Sequence, residues 1–321
     1  MRFRALVMTL VFVAGPVVAQ EKAWRADPGP SKVATVRFEW KDAKRDRVVP
    51  VRIYHPKDLA ETAPLVIFSH GTGGSRDGYA YLGNFWASHG YISVHPQHAG
   101  SDTQAFVGAA NLMEAMKKAI ADPKNAVERP KDVSFVLDKL AELNKDDATF
   151  KGKLNLGAVA LGGHSFGAHT AMVTAGQWMG GLDVRDKRIR AIIPMSAPAP
   201  KVKRDDAYAG ISVPVLLMSG TLDDSPLGDT KAKDRRVPFD GLTFCDRYFI
   251  NFEGGDHMIF SGRAKSERKQ DAEYQRCIKQ SSLAFLDMYL KHDAKAAAWF
   301  TGKGLPDYLG KLATVESKLI R

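Results

Sequence analysis

The pentapeptide Gly163-His164-Ser165-Phe166-Gly167 constrains the fold of this chain more than any other segment. It directly follows an apolar run at 156–161 and opens a stretch rich in small residues at 168–175. Where a strand turns sharply into a helix, the apex residue is strained, and flanking glycines remove side chains that would collide. The pattern therefore predicts that Ser165 projects its hydroxyl beyond the carboxyl end of a strand, where open α/β sheets bind ligands.

Apolar runs bounded by glycine and proline recur along the chain, and helical patterns separate most of them. With 321 residues, 45% of them hydrophobic, the chain can bury a sizeable core. The alternation predicts an α/β fold with a mainly parallel sheet of eight strands, the first two antiparallel, and helices on both faces. Strands are expected at 33–40, 48–55, 64–69, 91–95, 156–161, 190–195, 213–219 and 247–252, and helices at 79–89, 131–143, 166–179 and 268–291.

The segment 101–129 does not fit this simple alternation. It contains an amphipathic stretch at 112–121. Two interpretations stay open, a helical cap over the site and an ordinary surface helix. Met113 and Met116 in this stretch either line an apolar groove or, as we favour, serve only in packing.

Residues 1–19 have the features of a secretory signal peptide. Arg2 and Arg4 precede a nearly continuous apolar stretch, and acidic residues are absent from the first twenty positions. Small residues predict cleavage after Ala19, and the stretch is short for a membrane span. We expect one domain over 20–321, exported to the periplasm or the medium, with no stable membrane insertion after cleavage.

Export would bring Cys245 and Cys277 into an oxidising compartment, where thiols pair. We favour a disulfide that joins the last predicted long helix to the edge of the sheet. The alternative is two buried free thiols.

A serine hydroxyl needs a base to act as a nucleophile. His257 follows the last predicted strand after two glycines, and its late position suits the chain order serine, acid, histidine. Asp223 follows the predicted strand 213–219 and is expected to orient the His257 ring and stabilise its cation. Asp224 is the alternative acid.

Acyl transfer also needs N–H donors for the oxyanion. The backbone N–H of Phe166, directly after Ser165, is one candidate. The second is expected from the glycine-rich loop at 69–74, with Thr72 favoured and Gly73 as the alternative. A simple turn without a catalytic role is the plainer interpretation of that loop.

Other chemistries lack their sequence signals. Two cysteines are too few for a zinc cluster, the loop at 71–74 is not a dinucleotide-binding motif, and no paired histidine spacing indicates a metal. The net charge of +10 comes from basic residues dispersed among acidic ones, unlike the basic stripe of a nucleic-acid binder. We expect no cofactor, no metal and no nucleic-acid partner.

Four segments, HGTGG (70–74), GHSFG (163–167), GTLDD (220–224) and GGDHM (254–258), resemble the α/β-hydrolase superfamily. The similarity is to its dienelactone hydrolase-like and acetylhydrolase-like exported serine esterases, and it covers nearly the whole of 20–321. The resemblance implies an eight-stranded sheet, no cofactor, a triad and two oxyanion donors. The residues that match these roles are Ser165, Asp223 and His257 for the triad, and Thr72 and Phe166 for the oxyanion. Dienelactone hydrolases proper use a cysteine at the position of Ser165.

These patterns together predict an exported, monomeric serine esterase that cleaves a small-molecule or lipid-like ester through an acyl-enzyme. Two alternatives stay open. One is a peptidase, amidase or polyester-type hydrolase that uses the same residues. The other is a binding protein that kept the fold and lost catalysis.

Overall fold

The computed structural model describes residues 23–200, 202, 205–262 and 269–320. The expected signal peptide at 1–19 lies outside the described residues. Within these ranges, none of the helices combines the length and the apolar character that crossing a bilayer requires.

A single sheet of nine strands runs through the described part of the chain. The strands are β1 (Val33–Asp42), β2 (Arg47–Pro56), β3 (Ala63–Ser69), β4 (Ile92–Pro96), β5 (Leu154–His164), β6 (Ile189–Met195), β7 (Val215–Leu222), β8 (Arg247–Asp256) and β9 (Ala313–Lys318). Their order in the sheet is β1-β2-β4-β3-β5-β6-β7-β8-β9. The pairings from β4 to β8 are parallel, and those of β1 with β2, β2 with β4 and β8 with β9 are antiparallel.

The predicted count of eight strands is wrong by one, because β9 was missed. This strand pairs with β8 over six residues, from Ala313 opposite Phe252 to Lys318 opposite Arg247. Only Ala313 of β9 is buried, and its second half is Glu-Ser-Lys. An exposed edge strand needs no apolar run, so the pattern that indicates the buried strands is absent here.

Helices cover both faces of the sheet, as predicted. They are α1 (Ala80–Ser88), α2 (Leu112–Ala121), α3 (Pro123–Asp146), α4 (Phe166–Ala175), α5 (Val237–Gly241), α6 (Lys269–Leu290), α7 (Ala294–Thr301) and α8 (Gly304–Leu309). The buried residues of α3, α4 and α5 belong to one core cluster, and those of α1, α6, α7 and α8 belong to the other.

The strand β3 shows how the sequence fills two cores at once. Leu65 and Ile67 belong to the cluster on the α3 side, whereas Val66 and Phe68 belong to the cluster on the α6 side. Side chains alternate between the faces of a strand, so a strand buried on both faces reads as a continuous apolar run.

The expected disulfide between Cys245 and Cys277 is not formed, and both thiols are free and buried. Cys245 packs in the cluster with α3 and α4, and Cys277 packs in the cluster with α6. The sheet lies between them. Because a disulfide needs Cα atoms closer than about 7 Å, thiols on opposite faces of a sheet cannot pair.

The helix α3 begins earlier than the predicted residue 131. Asp122 caps it by accepting a hydrogen bond from the Lys124 N–H at 2.8 Å, and Pro123 occupies the first turn, where a missing N–H costs nothing. A second proline, Pro130, lies inside the helix. The extra turns bring the buried Arg129 into the helix, toward the carboxyl end of β3.

Candidate active site

The elbow between β5 and α4 holds Ser165 in a strained conformation, with φ of 58° and ψ of −115°. A positive φ on a residue other than glycine costs about 1–3 kcal/mol, so the surroundings must impose it. A Cβ placed on Gly163 would overlap the carbonyl of Gly167, and one on Gly167 would overlap the carbonyl of Ser69. The two glycines are therefore required by close backbone approach on either side of Ser165.

Backbone hydrogen bonds fix the serine in this position. The Ser165 N–H donates to the Met195 carbonyl at 2.9 Å, which joins the elbow to the end of β6. The Ser165 carbonyl accepts from the His169 N–H at 3.1 Å and so starts α4.

The structure brings His257 and Asp223 together, although 34 positions separate them in sequence. His257 follows β8 directly, and its Nδ1 lies 2.7 Å from Oδ1 of Asp223. Asp223 follows β7, is fully buried, and accepts a second hydrogen bond at Oδ2 from the Ser219 hydroxyl at 2.9 Å. A carboxylate in this place makes Nδ1 the protonated nitrogen of the ring and leaves Nε2 free to accept a proton.

Asp224, the alternative acid, points away from this pair. Its carboxylate is exposed, lies 3.1 Å from the Lys231 ammonium and accepts from the Ala232 N–H at 2.9 Å. Only Asp223 among these two neighbours contacts the histidine.

His164, inside the elbow, links three parts of the site through hydrogen bonds. Its Nε2–H donates to the His257 carbonyl at 2.9 Å, so its Nδ1 accepts from the Tyr79 hydroxyl at 2.9 Å. The Tyr79 oxygen in turn accepts from the Gly71 N–H at 3.3 Å. Burial, and next the nearby His257, lower the pKa of His164 well below its usual value, which keeps the ring neutral in this tautomer.

The loop after β3 lies beside the elbow, and most of its N–H groups are already engaged. The Gly71 N–H donates to Tyr79, the Gly73 N–H donates to the Ser101 carbonyl at 2.9 Å, and the Gly74 N–H donates to the Gly71 carbonyl at 3.0 Å. The N–H of Gly73, the alternative oxyanion donor, is therefore engaged by the Ser101 carbonyl. Thr72, Ser165 and Phe166 line one shared cavity.

The chain is similar to proteins of one described kind. A family model described as platelet-activating factor acetylhydrolase, isoform II, matches residues 44–118, which include the Thr72 loop but not the elbow. Platelet-activating factor acetylhydrolase from Cavia porcellus is 26% identical over an alignment of 300 positions, which covers 78% of this chain and 63% of that protein. The chain has the α/β-hydrolase fold and is similar to platelet-activating factor acetylhydrolases.

Two further relatives carry the same description. The protein from Bos taurus is 25% identical over 62% of this chain and 48% of its own length. The protein from Canis lupus familiaris is 24% identical over 66% of this chain and 51% of its own length. The chain thus spans between about half and 63% of the length of these three relatives.

The sequence analysis did not identify Arg235, which lies beside His257 and Asp223. Its guanidinium is 3.1 Å from Oδ1 of Asp223 and 3.3 Å from Nδ1 of His257. It also donates to the carbonyls of Ser196, Ala197 and Asp223, and its side chain is only 2% exposed. In the sequence it stands in a charged run at 231–236 that is typical of a solvated surface, so no local signal marks it.

Arg235 sets the charge balance of the site. Burial alone would raise the pKa of the Asp223 carboxyl, but the His257 hydrogen bond and the Arg235 charge outweigh it and hold the pKa below its usual value. Asp223 is therefore ionised at neutral pH, and three buried side chains, His257, Arg235 and Ser219, donate to it.

A cavity of about 740 Å³ opens beside Ser165. One wall comes from the end of α2 and the start of α3, and the other comes from loops that follow α4, β6 and β7. The apolar residues of these walls are Ile120, Ala121, Pro123, Ala126, Trp178, Pro198, Ala199, Pro200, Val202, Ala207 and Leu227. Polar and charged residues, among them Lys117, His169 and Asp229, line the rest of the cavity. A space with apolar walls and placed polar groups suits an organic substrate.

The two methionines of α2 do not contribute to this cavity in the described part of the chain. The Met116 methyl group packs against Gly73, and Met113 is 48% exposed. The wall is formed instead by the residues one turn further along α2.

Proposed function

We propose that this protein hydrolyses carboxylic esters through an acyl-enzyme on Ser165. The observation that carries the proposal is the 2.7 Å contact between His257 Nδ1 and Asp223 Oδ1. His164, the residue before the strained Ser165, donates to the His257 carbonyl at 2.9 Å and so joins the serine elbow to this pair. Acyl transfer requires a serine nucleophile together with an oriented imidazole.

The reaction follows from these positions. Ser165 Oγ attacks the ester carbonyl carbon while His257 Nε2 takes the hydroxyl proton, and Asp223 stabilises the cationic ring. The N–H groups of Thr72 and Phe166 hold the oxyanion. His257 then gives the proton to the departing alkoxide, and an acyl group remains on Ser165. Water repeats the sequence, with His257 as base, and releases the acid.

We propose an ester of the lipid-like class as substrate, because the cavity walls are mainly apolar and the named relatives are platelet-activating factor acetylhydrolases. An acetyl group is small enough to enter beside Ser165, and the remainder of the ester would lie along the apolar walls. We propose further that the protein is exported. The segment 1–19 supports this, and mass spectrometry of protein recovered outside the cytoplasm tests it by locating the mature N-terminus at residue 20.

The decisive experiment measures hydrolysis of p-nitrophenyl acetate, butyrate, octanoate and palmitate, and of platelet-activating factor, by the wild type and Ser165→Ala. We expect Ser165→Ala to lose at least about a thousandfold in kcat/KM, because the residues act as a unit. Labelling by a fluorophosphonate should disappear with it. Ser225→Ala is the matched control, since Ser225 also lines the cavity and should leave labelling intact. Undiminished turnover in Ser165→Ala would refute the proposal.

A further inference from the structure

Arg129 is a fully buried charge with no part in the chemistry proposed above. On one side its guanidinium reaches the segment that leads into the Thr72 loop. It donates to the His70 carbonyl and lies 3.2 Å from the Ser69 hydroxyl. The guanidinium also donates to the Ser101 hydroxyl at 3.1 Å. The Ser101 carbonyl in turn accepts from the N–H of Gly73, the residue after Thr72 in the loop.

On the other side Arg129 reaches the elbow. Its Nε–H donates to the Thr170 hydroxyl at 3.1 Å, and that hydroxyl donates to the Phe166 carbonyl at 3.0 Å. The guanidinium carbon also lies 4.4 Å from the centre of the Phe166 ring, in a cation–π arrangement. One planar side chain thus contacts both segments that supply the proposed oxyanion donors.

These contacts depend on the planar shape and the several N–H donors of the arginine side chain. Its five N–H donors form a rigid planar fork, and its face can stack on an aromatic ring at the same time. A lysine has one flexible ammonium and cannot hold the same set of oxygens. Within the described ranges no carboxylate lies within ion-pair distance of Arg129, so its hydrogen bonds go to neutral oxygens. The carboxylates of Asp132 and Asp102 act on its charge only from beyond that distance.

We propose that Arg129 is a positioning residue for the oxyanion site, because it ties the Thr72 loop to the Phe166 elbow and sets the spacing of the two N–H donors. The inference rests on the proposed esterase function. Oxyanion donors act only when both lie at hydrogen-bond distance from one developing charge, so a small change in spacing lowers catalysis more than binding.

The test compares Arg129→Met and Arg129→Lys with Arg47→Met as the matched control. Arg47 donates to Asp132 and to the Ala99 carbonyl, and it touches neither the Thr72 loop nor the elbow. For each variant kcat and KM are measured with p-nitrophenyl acetate, together with the melting temperature. The affinity for a trifluoromethyl ketone, which forms an oxyanion on the active serine, is measured as well.

We expect both Arg129 variants to lose about a hundredfold in kcat, the effect of losing one oxyanion donor, with KM within about threefold of wild type. The affinity for the trifluoromethyl ketone should fall in parallel. Arg47→Met should lower the melting temperature and leave kcat within about twofold.

A third variant keeps the proposal testable where Arg129→Met does not fold. Thr170→Val preserves shape, removes the hydrogen-bonded link from Arg129 through Thr170 to the Phe166 carbonyl, and keeps the contact of Arg129 with the Phe166 ring. We expect kcat to fall about tenfold while the melting temperature falls by only a few degrees, the cost of one buried donor without its acceptor. Unchanged kcat in Thr170→Val and Arg129→Lys would overturn the proposal. So would kcat losses that simply follow the melting temperature in all variants, Arg47→Met included. Absence of Ser165-dependent turnover in the wild type would instead overturn the proposed function.

Discussion

Asp223→Asn removes one charge from the pair at the centre of the site, and the structure indicates which way the new amide would face. Oδ1 accepts from His257 and from Arg235, whereas Oδ2 accepts from the Ser219 hydroxyl. A hydroxyl can rotate and accept instead of donate, but a guanidinium cannot. The asparagine would therefore keep its oxygen toward His257 and turn its NH₂ toward Ser219. This preserves the tautomer of the histidine and removes only the negative charge.

The expected loss follows from that charge. Two unit charges about 4 Å apart attract by about 4 kcal/mol at an effective dielectric constant near 20, which corresponds to about a thousandfold in rate. In the variant, Arg235 would face the cationic His257 with no carboxylate between them. We expect kcat/KM of Asp223→Asn for p-nitrophenyl acetate to fall about a thousandfold, with KM nearly unchanged.

The matched control is Asp224→Asn, which alters the exposed neighbour and should stay within about twofold of wild type. Asp223→Asn also leaves Arg235 buried without its partner, which should cost about 3–5 kcal/mol in the free energy of unfolding. The double variant Asp223→Asn with Arg235→Met should recover much of that stability and none of the rate. An Asp223→Asn enzyme within tenfold of wild type, or a large loss in Asp224→Asn, would refute this reasoning.

Two further predictions concern stability and the thiols. Asp132 is fully buried and accepts hydrogen bonds from Arg45, Arg47 and His98. Burial alone would raise the pKa of the Asp132 carboxyl, but these donors outweigh burial and hold the pKa well below its usual range. A lowered pKa adds stability above the unfolded value near 4 that is lost as pH falls. Asp132→Asn should therefore lower the free energy of unfolding in urea by about 3–5 kcal/mol at pH 7. The difference in unfolding free energy between wild type and variant should narrow below about pH 4, and a difference that stays constant with pH would contradict this prediction. Burial raises the pKa of Cys245 to about 12 and of Cys277 to about 11, so both thiols should resist an aromatic disulfide reagent in the native protein. Without reductant, the unfolded protein should titrate two thiols, and a count of zero would mean that a disulfide exists.

Much of the fold could be read from local patterns. The predicted strand at 64–69 and helix at 112–121 lie within one residue of β3 and α2, because apolar runs and amphipathic periodicity are properties of a few adjacent residues. Local patterns did not predict β9, whose mostly exposed residues carry no apolar signal. They also did not predict the start of α3, where Pro123 lies in the first turn and Pro130 lies inside the helix.

The candidate site could also be predicted in part from local sequence. Gly163, Ser165 and Gly167 are fixed by a short-range requirement, the sharp turn from strand to helix, so the sequence by itself determined the elbow. It also restricted the acid to two adjacent aspartates. The choice of Asp223 depended on which carboxylate the end of β7 turns toward His257, and that is a matter of how β7 and β8 pair.

Only the tertiary structure decided the contacts between distant segments. Arg235 lies beside Asp223 and His257, Arg129 bridges the Thr72 loop to the elbow, and Cys245 and Cys277 lie on opposite faces of the sheet. The physical reason is the same in each case. Local sequence sets the conformation of each strand and helix, but the order of strands in the sheet determines which side chains meet, and a buried arginine or cysteine has the same local sequence signal as an exposed one.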